Sequence, residues 1–356
     1  MSQAIFMALC AERSDGMEVK MKKLVDETGK PIAGSISEKV SIKVNETNLG
    51  LIIRSENINN PVLLILGGGP GIPEYLLEWK YGSNLEKYFT VCYINYRGTG
   101  LSYDNKLKKE SLTSKTYFND SILVTNYLRE RFKKEKIYLM GHSFGTYISL
   151  NIVNTNPELF EGYIAMSMNV NQQESEKLAY EYMLNTFEKS NNNKKVKQLK
   201  KYYALFNNKK TIDLSDTITQ KYFRTTRDTA MHKLGIGTTH DMKSVISGIF
   251  FPSLKMKEFT MEERINIWKG KVFTSNVPVT NDSFNFNAFE QIKEIDVPIY
   301  VFAGVYDYTT NYSLQKEYYD MINAPKKIFY TFENSAHSPL FEENNKAIKI
   351  ILEDIL

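Results

Sequence analysis

The sequence predicts an α/β protein, with a mostly parallel sheet, helices on both of its faces and an all-helical lid inserted late in the chain. Three observations predict it. From Pro61 to Met168 short apolar runs alternate with amphipathic stretches. Between about Val170 and Ile292 that alternation stops and helical patterns take over. It then resumes from Pro298 to the C-terminus. Strand alternating with helix implies parallel strands joined by crossover helices.

The elements follow in order. Residues 1 to about 35 show no sustained periodicity and are expected to form a loosely attached N-terminal extension (1–35), with Met17 and Met21 as alternative starts. Val40–Val44 alternates at period two and is expected to pair with Leu49–Ile53 across the polar turn Asn45–Asn48. Pro61–Leu66 is a continuous apolar run, the mark of a strand covered on both faces. An amphipathic stretch (Tyr75, Leu76, Leu77, Trp79, Leu85), a strand over Phe89–Ile94 and a helix near Thr116–Phe132 come next. Lys136–Met140 reads as a strand leading into a helix from Phe144, and Tyr163–Met168 as another strand. After the helical insertion the pattern predicts a strand at Pro298–Phe302, a helix near Leu314–Met321, a strand near Ile328–Phe332 and a last helix from Phe341. The expected organisation is a core of 36–170 and 293–356 and a lid of 171–292, placed over the C-terminal edge of the sheet, where open sheets bind ligands.

Bulk properties narrow the classes. The 356 residues are 42% apolar and 24% charged, as in ordinary globular enzymes. A net charge of +4 spread over that length argues against an obligate nucleic-acid binder. Two cysteines, Cys10 and Cys92, make no disulfide framework, and Cys92 sits inside an apolar strand. No stretch approaches the ~18 apolar residues of a membrane span. Ala4–Leu9 is too short for a signal-peptide core and lacks a basic lead, and Leu9 spoils a lipoprotein reading at Cys10, so the expected location is cytoplasmic.

The chemistry concentrates at Gly141-His142-Ser143-Phe144-Gly145, which follows an expected strand and opens an expected helix. That is the context in which G-x-S-x-G forms a nucleophile elbow, exposing the serine hydroxyl on a strained turn. Without strand and helix the pentapeptide recurs by accident. The N–H of Phe144, at a helix N-terminus, would face a developing oxyanion. A serine needs a base, and the chain has four histidines. His142 is inside the elbow and faces away from its neighbour, while His232 and His240 fall in the insertion. His337 lies in a loop between the last strand and the last helix, which reaches the edge where Ser143 must be. Asp307 ends the preceding strand segment at the same edge and can fix the tautomer of His337, whereas Met168-Asn169-Val170 offers no carboxylate. The order Ser143, Asp307, His337 is the one used by α/β-hydrolases.

Gly67-Gly68-Gly69-Pro70-Gly71 ends the first buried strand. It lacks the Lys-Ser/Thr or G-x-G-x-x-G spacing of a phosphate loop, and suits backbone that approaches a substrate closely. The N–H of Gly69, with Gly68 next, is the expected oxyanion partner of Phe144.

Together, Gly67–Gly71, Tyr96-Arg97-Gly98-Thr99-Gly100-Leu101-Ser102, the elbow, Asp307 and His337 resemble the proline-iminopeptidase-related branch of the α/β-hydrolase fold. The resemblance covers about residues 36–170 and 293–356. It implies this fold, a Ser143–Asp307–His337 triad, an oxyanion hole at Phe144, Gly69 and Gly68, and a helical cap. It also implies that an aminopeptidase would bind its substrate's amine with cap carboxylates, for which Glu174, Glu181, Glu262 and Glu263 are available. Gly67 stands where the family has His and Asn95-Tyr96 where it has an acidic-Gln pair, so a freer oxyanion loop and a slow reaction are expected. The elbow reads G-H-S-F-G, away from the G-G-S-W-G of strict proline iminopeptidases.

Lid aromatics Tyr180, Tyr182, Phe223, Phe250, Phe251 and Trp268 could line an apolar pocket or form the lid's own core. The run Lys194–Lys201 reads as a solvated helix face, and His232, His240 and Asp241 fit no common metal-ligand spacing, which points to a surface role. The expected activity is hydrolysis of an ester, amide or small peptide through an acyl-enzyme, with no cofactor or metal, by an esterase or an aminopeptidase. Expected partners are small molecules or short peptides, not nucleic acid or membrane. The competing class is a hydrolase-fold ligand-binding or receptor-like protein with little turnover.

Overall fold

A computed structural model describes residues 20–45, 47–207 and 211–356. The calls on Cys10, Met17 and the segment 4–9 lie outside the described residues. Eight strands form one sheet: β1 (Ile36–Val44), β2 (Thr47–Ser55), β3 (Val62–Leu66), β4 (Thr90–Ile94), β5 (Ile137–His142), β6 (Phe160–Met166), β7 (Ile299–Gly304) and β8 (Lys327–Phe332). Their order is β1-β2-β4-β3-β5-β6-β7-β8. β2 runs antiparallel to both neighbours and the pairs from β4 to β8 are parallel. Every residue of β3, β4 and β7 is buried, which is why these segments read as unbroken apolar runs. Leu64 and Leu66 join one hydrophobic cluster and Leu63 and Ile65 the other, as the period of two requires.

Helices α1 (Tyr75–Tyr81), α2 (Ser114–Arg131) and α3 (Phe144–Thr155) cover the two faces. The hairpin turn is tighter than the expected Asn45–Asn48: Val44 already pairs with Thr47, with Asn45 at φ 54°. The stretch from residue 20 to 35 is less loose than expected, because Met21 and Leu24 are buried and Val25 bridges Pro31.

Between β6 and β7 the described residues form helices and no strand: among them α4 (Gln172–Lys189), α5 (Thr217–Tyr222), α6 (Asp228–Leu234), α7 (Met261–Phe273) and α8 (Pro278–Asn285). A π-helical turn, Phe223–Arg227, joins α5 to α6. Asn171 and Asn287 bridge where the insertion leaves and rejoins the core. The insertion has its own cluster, including Tyr180, Phe187, Phe206 and Tyr222. It also docks on the core through α7, where a Cβ on Gly270 would lie 2.8 Å from Thr99 Cα, and Lys39 pairs with Glu263 at 2.8 Å. After β7 come α9 (Tyr312–Met321), capped by Asn311, and α10 (Asn344–Ile350).

Candidate active site

Ser143 sits between β5 and α3 with φ 55° and ψ −120°, a conformation that L residues rarely adopt. The flanking glycines are required by packing. A Cβ on Gly145 would fall 1.8 Å from the carbonyl oxygen of Leu66, and one on Gly141 would fall 2.2 Å from Ser149 Oγ. The elbow is therefore pressed onto β3, and the loop after β3 comes to lie beside Ser143.

Asp307, fully buried after β7, accepts from the N–H groups of Thr309 (2.9 Å) and Thr310 (3.0 Å) and from Thr310 Oγ1 (2.9 Å). Burial works to raise its pKa, but the His337 ring and the Thr310 bonds outweigh it and hold the carboxyl below its usual range. His337 Nδ1 lies 2.9 Å from Asp307 Oδ2 and 3.0 Å from Oδ1. With Nδ1–H donating to a carboxylate, Nε2 carries the lone pair. Ser143 and His337 line one cavity. The structure records no hydrogen bond between Ser143 Oγ and His337 Nε2, a contact often loose before substrate binds.

His142 is held by partners of its own. Its Nδ1 lies 2.8 Å from Glu74 Oε1, and its Nε2 donates to the carbonyl oxygen of His337 at 2.7 Å. Burial disfavours the charged ring, but Glu74 overcomes this and raises the pKa of His142. Ser167 Oγ also donates to the His337 carbonyl, at 3.0 Å.

The glycine loop departs from expectation. It is not freer for having Gly67: a Cβ there would meet Glu74 Cβ at 2.7 Å, so Glu74 fills the space a side chain would need. Glu74 Oε2 accepts from Gly68 N–H at 3.3 Å, and Tyr96 Oη donates to the Gly67 carbonyl at 3.1 Å. Tyr96, the other departure, is held edge-on to Phe144, with ring centroids 5.6 Å apart. Gly68 N–H is turned to Glu74, whereas Gly69 N–H, like that of Gly71, has no acceptor among the described residues, and the φ of 122° at Gly69 favours glycine. Phe144 N–H lies in the first turn of α3, where no intrahelical acceptor exists.

Two cavities meet at Ser143. One, of about 350 Å³, is lined by His337, Ile72, Leu76, Met231, Val245 and Ile249 among others. The other, of about 330 Å³, is lined by Phe144, Asn169, Gln172, Glu176, Gln220 and Arg224 among others. Arg227 belongs to both walls. Its Nε donates to both Glu176 oxygens (2.9 and 2.8 Å), its Nη2 to Glu176 and its Nη1 to Asp228 (2.9 Å).

Several sequence candidates lie elsewhere. Glu174, Glu181, Glu262 and Glu263 line neither cavity; Glu174 pairs with Lys177 and Glu263 with Lys39. Of the six aromatics singled out in the insertion only Phe223 lines a cavity at Ser143; Tyr180 belongs to the insertion's own cluster. Lys194, Lys197, Lys200 and Lys201 are exposed. His232 is not a surface residue: it is buried, its pKa is lowered chiefly by burial, and its ring bonds to the Asp228 carbonyl and Thr238. Among the described residues no group of three or more His, Cys, Asp or Glu side chains could hold a metal ion. No described helix is long and apolar enough to cross a membrane. Sequence reasoning missed Glu74, Glu176 and Arg227, for which no motif existed.

Residues 61–344 match the family described as alpha/beta hydrolase fold. The chain is 31% identical over 320 residues to the protein named "Probable aminopeptidase YbaC" of Bacillus subtilis (strain 168), covering 88% of this chain and 94% of that one. Among solved structures it resembles a proline iminopeptidase of Mycobacterium smegmatis, with TM-score 0.62 and 11% identity over 88% of this chain and 96% of the other. It also resembles a thermophilic esterase of Thermogutta terrifontis, with TM-score 0.54 and 13% identity over 89% and 97%. At such identities the two structures speak for the fold alone. The chain belongs to the α/β-hydrolase fold family. Within that family it is a hydrolase.

Proposed function

We propose that this hydrolase is a metal-free serine enzyme that cleaves an ester, amide or small peptide through an acyl-enzyme on Ser143. The observation that carries the reading is the buried Asp307–His337 pair, 2.9 Å apart, whose histidine lines the cavity that Ser143 also lines. His337 Nε2 takes the Ser143 proton as Oγ attacks the carbonyl carbon. The N–H groups of Phe144 and Gly69 hold the oxyanion. His337 then gives that proton to the leaving oxygen or nitrogen, and water, deprotonated by the same ring, releases the acid and restores Ser143.

The name of the Bacillus subtilis relative favours an aminopeptidase, which would need a lid carboxylate free to meet an amine. Glu176, the lid glutamate in the cavity wall, is already paired with Arg227, and this favours the esterase side. The test is parallel turnover of short-chain aryl esters and aminoacyl-arylamides, proline included, by the protein and by Ser143→Ala. Ester turnover lost in the variant is expected. Turnover unchanged by the substitution would overturn the reading.

A further inference from the structure

We propose that the cavity of about 330 Å³ is the acyl subsite, and that it selects acyl groups ending in a carboxylate. The proposal rests on Ser143 and His337 acting as above. His337 must hand its proton to the leaving group, so the leaving group lies on the side of Ser143 where His337 is. His337 lines the first cavity and not the second. The acyl chain therefore runs the other way from Ser143, past Phe144, into the second cavity.

That cavity sets charged and amide side chains among apolar ones and carries unmatched positive charge. Glu176, its one lining carboxylate among the described residues, is 1% exposed and accepts from Arg227 with both oxygens and from Gln172 Nε2 at 3.0 Å. Against it stand two guanidinium groups. Arg227 uses three of its five N–H groups on Glu176 and Asp228, which leaves two without an acceptor among the described residues. Arg224 lines the cavity, is exposed, and has no ion-pair partner among the described residues. Two guanidinium groups with unfilled donors suit a planar carboxylate, which accepts two parallel N–H bonds. An ammonium would find Glu176 already occupied and would face Arg224 as a like charge. The same arrangement therefore selects against a free amine in the acyl part.

The test uses 4-nitrophenyl esters with one leaving group and one six-carbon acyl chain, ended by carboxylate, carboxamide or ammonium, with hydrolysis by Ser143→Ala subtracted. The expected order of kcat/KM is carboxylate, carboxamide, ammonium, with carboxylate over carboxamide by at least about tenfold, as a charge-assisted bond implies. Arg224→Gln is expected to shrink that ratio at least several-fold, and Arg224→Glu to bring it below one, while leaving the lid's Glu176–Arg227 pair in place. A ratio near one, a ratio indifferent to both variants, or a preference for ammonium would overturn the subsite assignment, and with Ser143 still labelled and required it would leave the serine mechanism standing. If no ester turns over and fluorophosphonate leaves Ser143 unlabelled, the mechanism fails and the subsite with it.

Discussion

Asp307 shows how one atom's neighbours decide a residue's part. Oδ1 takes two backbone N–H groups, from Thr309 and Thr310, whereas Oδ2 faces Thr310 Oγ1 and lies 2.9 Å from His337 Nδ1. In Asp307→Asn the carbonyl would stay with the two N–H donors and the new NH2 would face His337. That arrangement makes Nδ1 the acceptor and puts the proton on Nε2, the tautomer that cannot accept from Ser143. The substitution is expected to lower turnover by more than about a hundredfold, in line with the larger loss known for the chymotrypsin-type triad, with little change in Tm. A small loss at unchanged Tm would mean that another group orients His337. Gly67 makes a second residue-scale case. Because Glu74 already fills the space, Gly67→His is expected to lower Tm and ester turnover together, at a cost of about 1–3 kcal/mol from overpacking. A rise in turnover would show that the loop is in fact under-braced.

At the scale of elements, the short helical turn Pro339–Glu342 ties the His337 loop to the insertion. Glu342 Oε1 accepts from the N–H groups of Ala336 and Ser338, on either side of His337, at 3.0 Å each. Its Oε2 accepts from His240 N–H at 2.6 Å, so one carboxylate joins both parts of the molecule. Burial outweighs these three bonds and pushes its pKa up to about 6 from the usual 4.5. A carboxyl with a raised folded-state pKa binds its proton more tightly when folded, so its contribution to stability falls as pH rises from about 4.5 to about 6. The effect amounts to about 2 kcal/mol at most. Asp307, held below its usual range, keeps its charge over the same window. Melting the protein and Glu342→Gln across that window should show the unsubstituted protein gaining on the variant as pH falls from 7 to 5. A gap that is constant, or that changes in the opposite sense, would remove Glu342 as the titrating group.

Over the whole molecule, the core was legible because its signals are local. β3, β4 and β7 are buried on both faces and so carry unbroken apolar runs, and the elbow pentapeptide lies between a strand and a helix that periodicity alone reveals. Asp307 and His337 could be chosen because each follows a strand of that same sheet. The cavity walls were not legible, because their partners meet across long separations with no spacing rule. Glu74 and His142 are 68 residues apart, and Glu176 and Arg227 are 51 apart, on separate elements of the insertion. Gly67 misled for the same reason: the residue that compensates for the missing side chain, Glu74, belongs to no motif. The central claim is that Ser143 is the nucleophile, and intact mass after a fluorophosphonate probe tests it most directly. One adduct on the protein and none on Ser143→Ala is the predicted result; an adduct that persists in Ser143→Ala, or an unlabelled protein that still hydrolyses esters, would contradict it.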